Sequence, residues 1–81
     1  MNSYLLEFSG RHPDTLEKLR WLIPNPGLPE GNPSIVAAQL GDAGFEMTRR
    51  LKDGPQLTIA LQRLVDAKDA AVRQAIADAE T

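Results

Sequence analysis

LKDGPQLTIALQRLVDAKDAAVRQ, Leu51 to Gln74, closes one helical pattern at Gly54-Pro55 and at once begins a longer one. Glycine commonly ends helices and proline commonly begins them, so the dipeptide marks a tight reversal between two helices. From Gln56 to about Ala79 the apolar positions recur at helical spacing over roughly 36 Å, at about 1.5 Å per residue. The polar stripe is narrow: Thr58, Gln62, Asp66, Asp69 and Arg73. Leu57, Leu61, Leu64 and Ala71 make one apolar face, and Val65, Val72 and Ile76 make a second. One antiparallel partner helix covers about one face. The surplus predicts burial against other copies of the chain, and alanines at 60, 67, 70, 71, 75 and 77 favour close helix approach. Alanine is also the best helix former, so a three-helix monomer is the plainer alternative.

Upstream of the reversal, residues 34–52 read as the first arm of the hairpin. Val36, Leu40, Ala43, Met47 and Leu51 line up as its seam. Gly41 and Gly44 interrupt it, and each costs about 1 kcal/mol against alanine in a helix interior. Either the helix breaks there or another backbone passes close to the side carrying Ala37, Gly41 and Gly44. Residues 24–33 hold four of the six prolines and read as a semi-rigid connection, because each proline removes a backbone donor and fixes φ. Asn32 is the expected N-cap of the next helix, with Pro33 at its first position.

Residues 14–23 predict a short helix, capped by Asp14 with Glu17 completing a capping-box pair. Leu16, Leu19, Leu22 and Ile23 form its apolar face, with Trp21 at the edge. Residues 1–10 read as extended or irregular. The expectation is therefore a single all-α domain: a short N-terminal helix plus an antiparallel helical hairpin, assembled into an oligomeric helix bundle.

With 81 residues the chain makes one small core, for which oligomerisation is a common support. No cysteine is present, which excludes disulfides and thiolate metal sites, and the one histidine, His12, gives no metal-spaced pair. A net charge of −2 disfavours a nucleic-acid binder, which usually shows a basic excess. No apolar run long enough for a membrane span and no signal-peptide pattern is evident, so a cytoplasmic location is expected. Phosphate-loop, nucleophile-elbow and cofactor motifs are missing, so no catalysis and no cofactor are expected. SIVAAQLGDAGFEMTRRL, residues 34–51, approximates a helix-turn-helix pattern, but Arg50 stands where a buried aliphatic residue is expected.

Two cationic groups remain. Arg49, Arg50 and Lys52 precede the reversal; favourable charge at a helix C-terminus, with Glu46 pairing across one turn, accounts for them without any ligand. The alternative is anion recognition, since the guanidinium fork suits phosphate and Thr58 lies near a helix start that attracts anions. Arg11, His12, Lys18 and Arg20 form the second group. Tyr4 and Trp21 could stack on a base, and Trp21 could equally anchor the core.

Thr58-Ile59-Ala60-Leu61-Gln62-Arg63-Leu64-Val65-Asp66-Ala67 has the form [S/T]-x-A-L-x-[K/R]-L-x-[D/E]-A and follows a proline-containing turn. It resembles the second arm of the helical hairpin in phage-encoded cyclic-nucleotide sponges, the anti-CBASS and anti-Thoeris hairpin proteins. Lys68 to Arg73 looks like a variant of that family's tail, and His12-Pro13 is similar to its approach to the first helix. The chain departs from the pattern at Gln56-Leu57 after the proline and at Ala70-Ala71-Val72-Arg73 late in the hairpin. The resemblance implies a homo-oligomer in the host bacterial cytoplasm that binds cyclic di- or trinucleotides between protomers without chemistry. Candidate ligand-binding residues are Tyr4, His12, Lys18, Arg20, Arg49, Arg50, Thr58 and Arg63, the last at a basic position of the motif. A small inhibitor docking on a host defence protein through the exposed face of the last helix, and a DNA-binding helix-turn-helix, are the alternatives.

Overall fold

The computed structural model describes residues 6–23 and 25–80. The chain is all-α, a short helix followed by two longer packed ones: α1 (Pro13–Leu22), α2 (Asn32–Arg50) and α3 (Pro55–Ala79). α2 and α3 form the antiparallel hairpin, and α1 packs against both. Ahead of α1, Leu6 is helical and residues 7–10 form turns, closed by the Ser9 N–H on the Leu6 carbonyl and the Arg11 N–H on the Phe8 carbonyl, while residues 1–5 of the segment read as extended or irregular lie outside the described residues.

The core joins Phe8, Leu19, Leu22, Phe45, Leu57, Leu61 and Val65, with Leu16, Ile23, Met47 and Leu64 half-buried around it. Phe8 and Phe45 stack with centroids 6.0 Å apart and rings 17° from parallel, which fastens the N-terminal turns to α2.

α2 is one uninterrupted helix through Gly41 and Gly44, so the segment that approximates a helix-turn-helix contains no turn. Its buried face is not the seam of large residues that the spacing suggests. Pro33, Ala37, Gly41, Gly44, Phe45 and Thr48 are buried, whereas Ala43 and Leu51 are exposed and Val36, Leu40 and Met47 only half-buried. The reason is the close passage of α1. A Cβ on Gly41 would lie 2.5 Å from the Leu22 carbonyl oxygen, and one on Gly44 would run into the Leu22 side chain. Small residues cut a groove for the C-terminal end of α1, and the larger apolar residues flank it.

The second apolar face of α3 also differs from expectation. Val65 is buried and Val72 and Ile76 are half-buried within the protomer, where α3 packs against both other helices. The Lys68 ammonium reaches back to the Trp21 carbonyl, so a charged side chain closes the end of α1 there. The surface left bare on α3 is the outer stripe instead, where Ile59 is 47% exposed.

Two caps shift by a residue or two. His12, not Asp14, caps α1: its Nδ1 accepts from the Asp14 N–H at 3.0 Å, since Pro13 already occupies the first helical position. Gly31, not Asn32, precedes α2, with φ of 94°, a left-handed conformation that glycine adopts without a Cβ penalty. The connection before it is built on Asn25, whose side chain accepts from the Gly27 N–H at 2.9 Å while its carbonyl accepts from Leu28 at 3.1 Å. Gly54-Pro55 opens α3 as the sequence suggests.

Gly41→Ala is expected to destabilise the fold in spite of its better helix propensity. The helix gains about 1 kcal/mol, but a new methyl against a backbone carbonyl forces overpacking that costs about 1–3 kcal/mol. Gly44→Ala meets only the end of a side chain and should cost less. Urea unfolding of the two variants beside the parent measures the order.

Candidate functional site

The densest polar arrangement lies where the N-terminal segment meets the α2–α3 reversal. Asp53 stands in the turn between the two helices. Its Oδ1 accepts from Arg11 Nε at 2.9 Å and from the Thr15 hydroxyl at 2.8 Å, and its Oδ2 accepts from the His12 N–H at 2.9 Å. Arg11 spends its remaining donors on the end of α2: Nη1 on the Thr48 carbonyl at 2.6 Å and Nη2 on the Leu51 carbonyl at 2.7 Å. Those carbonyls have no intrahelical partners, so a guanidinium both satisfies them and complements the negative end of the helix dipole. Thr15 is almost wholly buried, and its hydroxyl would be costly there without Asp53. The His12 N–H and the Thr15 hydroxyl, with the Arg11 guanidinium, hold the Asp53 carboxyl below its ordinary range against a smaller opposing effect of desolvation.

Around this knot lies a cleft of about 280 Å³ lined by His12, Asp14, Thr15, Asp53, Gly54, Pro55 and Thr58. It brings together two of the sequence-predicted ligand residues, His12 and Thr58. The Thr58 hydroxyl donates to the Gly54 carbonyl at 3.3 Å, which leaves its lone pairs free to accept. No side chain caps the start of α3, whose first residue, Pro55, has no N–H, and the Thr58 N–H bonds the Gly54 carbonyl at 3.1 Å. The charged residues of the lining, Asp14 and Asp53, are both acidic, and Arg11 answers Asp53 from outside it.

The other predicted residues lie elsewhere. Arg49 bonds Glu7 through Nε and Nη2 and Glu46 through Nη1, and its guanidinium sits 5.7 Å from the Phe8 ring centroid. The Arg49 pairing lowers the Glu7 carboxyl below its usual range. Arg50 pairs with Glu46 at 3.3 Å, one turn back, and is otherwise solvated, its side chain 75% exposed. The ligand-free account of this cationic group is thus sufficient for both arginines. Lys18 and Arg20 project from α1, and Arg63 from the outer face of α3; none makes an ion pair among the described residues. Arg20 does line a shallow depression with Glu17 and Trp21, and Trp21 is 62% exposed rather than a core anchor. Tyr4 lies outside the described residues. Among the described candidates, then, only His12 and Thr58 line one cleft.

Arg11 and Asp53 are the residues that pattern reading passes over. Arg11 looks like one more member of a cationic group, and Asp53 like an ordinary turn residue. The available signal was the position of Asp53 beside a Gly-Pro helix start, where a carboxylate is favoured.

No family model matches this chain, and no match was found among curated proteins or solved structures. The likeness to cyclic-nucleotide sponges therefore rests on sequence alone: the Thr58–Ala67 motif, with Lys68 to Arg73 and His12-Pro13 beside it. No helix of the described residues is long and apolar enough to cross a membrane.

Because the Asp53 carboxyl is lowered in the folded state, the unfolded chain takes up a proton first as pH falls. Its contribution is full above the ordinary aspartate range near about 3.9 and is lost as pH drops through the lowered folded value. Asp53→Asn should therefore reduce stability at neutral pH and flatten the acid limb of the stability curve. Thr15→Val should cost about 1 kcal/mol through its lost hydrogen bond and weaken that acid limb only in part, because the His12 N–H and Arg11 still hold Asp53 low. Thermal unfolding between pH 2 and pH 7 reads both; an unchanged acid limb in Asp53→Asn would contradict the assignment.

Proposed function

We propose that the chain is a non-catalytic binder that sequesters cyclic oligonucleotide immune signals, acting as a homo-oligomer in the bacterial cytoplasm during phage infection. The observation that carries the reading is the cleft at the start of the 25-residue helix α3, which brings His12 and Thr58 into one lining. Helix N-termini favour anions. Asp53, the carboxylate nearest to them, has its charge answered by Arg11 and two further donors. The motif that resembles the sponge hairpin begins at Thr58, on the rim of this cleft.

One such cleft suits a single phosphate. A cyclic di- or trinucleotide carries two or three, so its other phosphates need groups from a neighbouring copy. Lys18 and Arg20, which make no ion pair among the described residues, are cations available for that purpose. In this account the protein holds the ligand and breaks no bond.

A second reading has its own observation. Trp21 is 62% exposed beside Arg20, and tryptophan and arginine dominate protein-binding hot spots. A small inhibitor that docks on a host defence protein would use such a residue.

Calorimetric titration with cyclic GMP–AMP and with cyclic triadenylate tests the first reading. Binding is expected with fewer than one ligand per chain. His12→Ala and Thr58→Ala should each weaken it about tenfold or more, equivalent to about 1.4 kcal/mol. Absence of heat and of any thermal shift with both ligands would overturn it and favour the protein-binding alternative.

A further inference from the structure

The outer face of α3 carries Gln56, Ile59, Arg63, Asp66, Ala70 and Arg73, all exposed. Their spacing alternates three and four residues, so they lie along one line of the helix, like the contact positions of a coiled coil. Arg63 and Arg73 have no ion-pair partner among the described residues. Asp66 is held by Gln62, whose Nε2 donates to Oδ1 at 3.0 Å, and its second oxygen is left open.

The series has the same spacing read from either end. We infer that this stripe is a self-complementary surface on which a second copy of the chain docks antiparallel, with Arg63 of each copy on Asp66 of the other. A two-fold axis at the midpoint of Arg63 and Asp66 also places Ile59 against Ala70 of the second copy and Gln56 against Arg73. Each large or charged side chain then meets a small or complementary one. Asp69 falls beside Ala60 of the second copy, one turn from its Arg63, which adds attraction rather than repulsion.

Charge selects this register. Moving the axis half a heptad toward the C-terminus would set Arg63 against Arg73 of the second copy and leave Asp66 facing Ala70. Moving it the other way removes Ala70 and Arg73 from the overlap and sets Ile59 against Arg63. The contact line is about 25 Å long at about 1.5 Å per residue, and its apolar content is modest, so the dimer is weak and concentration-dependent. Exposed ion pairs are also screened by salt, so it dissociates as ionic strength rises.

Nucleotide is not needed for this pairing, and all assays are run without it, so its failure and the failure of nucleotide binding are separate results. Sedimentation equilibrium of the full chain at low salt should show a monomer–dimer exchange. Arg63→Asp and Asp66→Arg should each weaken dimerisation at least fivefold, and the double exchange should restore it within about twofold. The absence of native cysteines allows a second test. Ile59→Cys/Ala70→Cys should oxidise to a covalent dimer at least tenfold faster than Ile59→Cys/Ala77→Cys, which requires the shifted register. Far-UV circular dichroism confirms that these surface variants fold. A parent chain that is monomeric at every concentration, a double exchange that fails to restore the dimer, or equal cross-linking in the two pairs would overturn the proposal.

Discussion

Asp53 accepts hydrogen bonds from Arg11, His12 and Thr15, and through them one carboxylate ties the start of the chain to the reversal between the two long helices. The arrangement is economical because two of the partners have a second task. Arg11 also closes the C-terminal end of α2, and the His12 ring caps α1 while its backbone reaches Asp53. A hairpin of two helices has no inherent reason to hold a ten-residue third helix at a fixed angle. α1 is too short to be stable alone. Its position is set from both ends, by the Asp53 knot near its N-terminus and by the glycine groove near its C-terminus.

That groove supplies the apolar half of the same constraint. Leu22 and Leu19 are wholly buried, and Leu22 lies over Gly41 and Gly44 at a separation that leaves no room for a Cβ. Two glycines in a helix interior weaken α2 by themselves, yet they let α1 approach closely enough to enclose the core that Phe8, Phe45 and Leu61 share. With α1 seated, one side of α3 is covered by α2 and the adjoining side by α1. On α3 itself the outer stripe remains open, and the cleft lies at the helix start.

Much of the architecture was legible in the sequence because it is written in local signals. Gly54-Pro55 announces the reversal, the proline run from 24 to 33 announces the connection, and helical spacing announces all three helices. The Ala37, Gly41 and Gly44 side was recognisable as a place of close approach. The seam of α2 was not, since volume-based reading favours Val36, Leu40 and Met47, whereas a helix crossing at short range selects the smallest residues. The buried Thr15 and Thr48 were equally hidden. Thr48 satisfies its hydroxyl on the Gly44 carbonyl one turn back, and Thr15 needs a partner 38 residues away. Of the proposed ligand residues, His12 and Thr58 meet because the reversal and the N-terminal segment are knotted together, a long-range contact that no local pattern encodes. Arg49 and Arg50 are explained by Glu7 and Glu46 instead.

The account places one bond at its centre: the His12 backbone N–H on the Asp53 carboxylate, made by an otherwise exposed residue. Amide hydrogen exchange and pH titration of the His12 resonance by NMR test it directly. The account predicts a His12 amide protected well beyond that of a surface turn, with a chemical shift that titrates below the ordinary aspartate range and loses this response in Asp53→Asn. A His12 amide that exchanges at the rate of an open chain and ignores Asp53 would contradict it, and with it the assembly of the cleft.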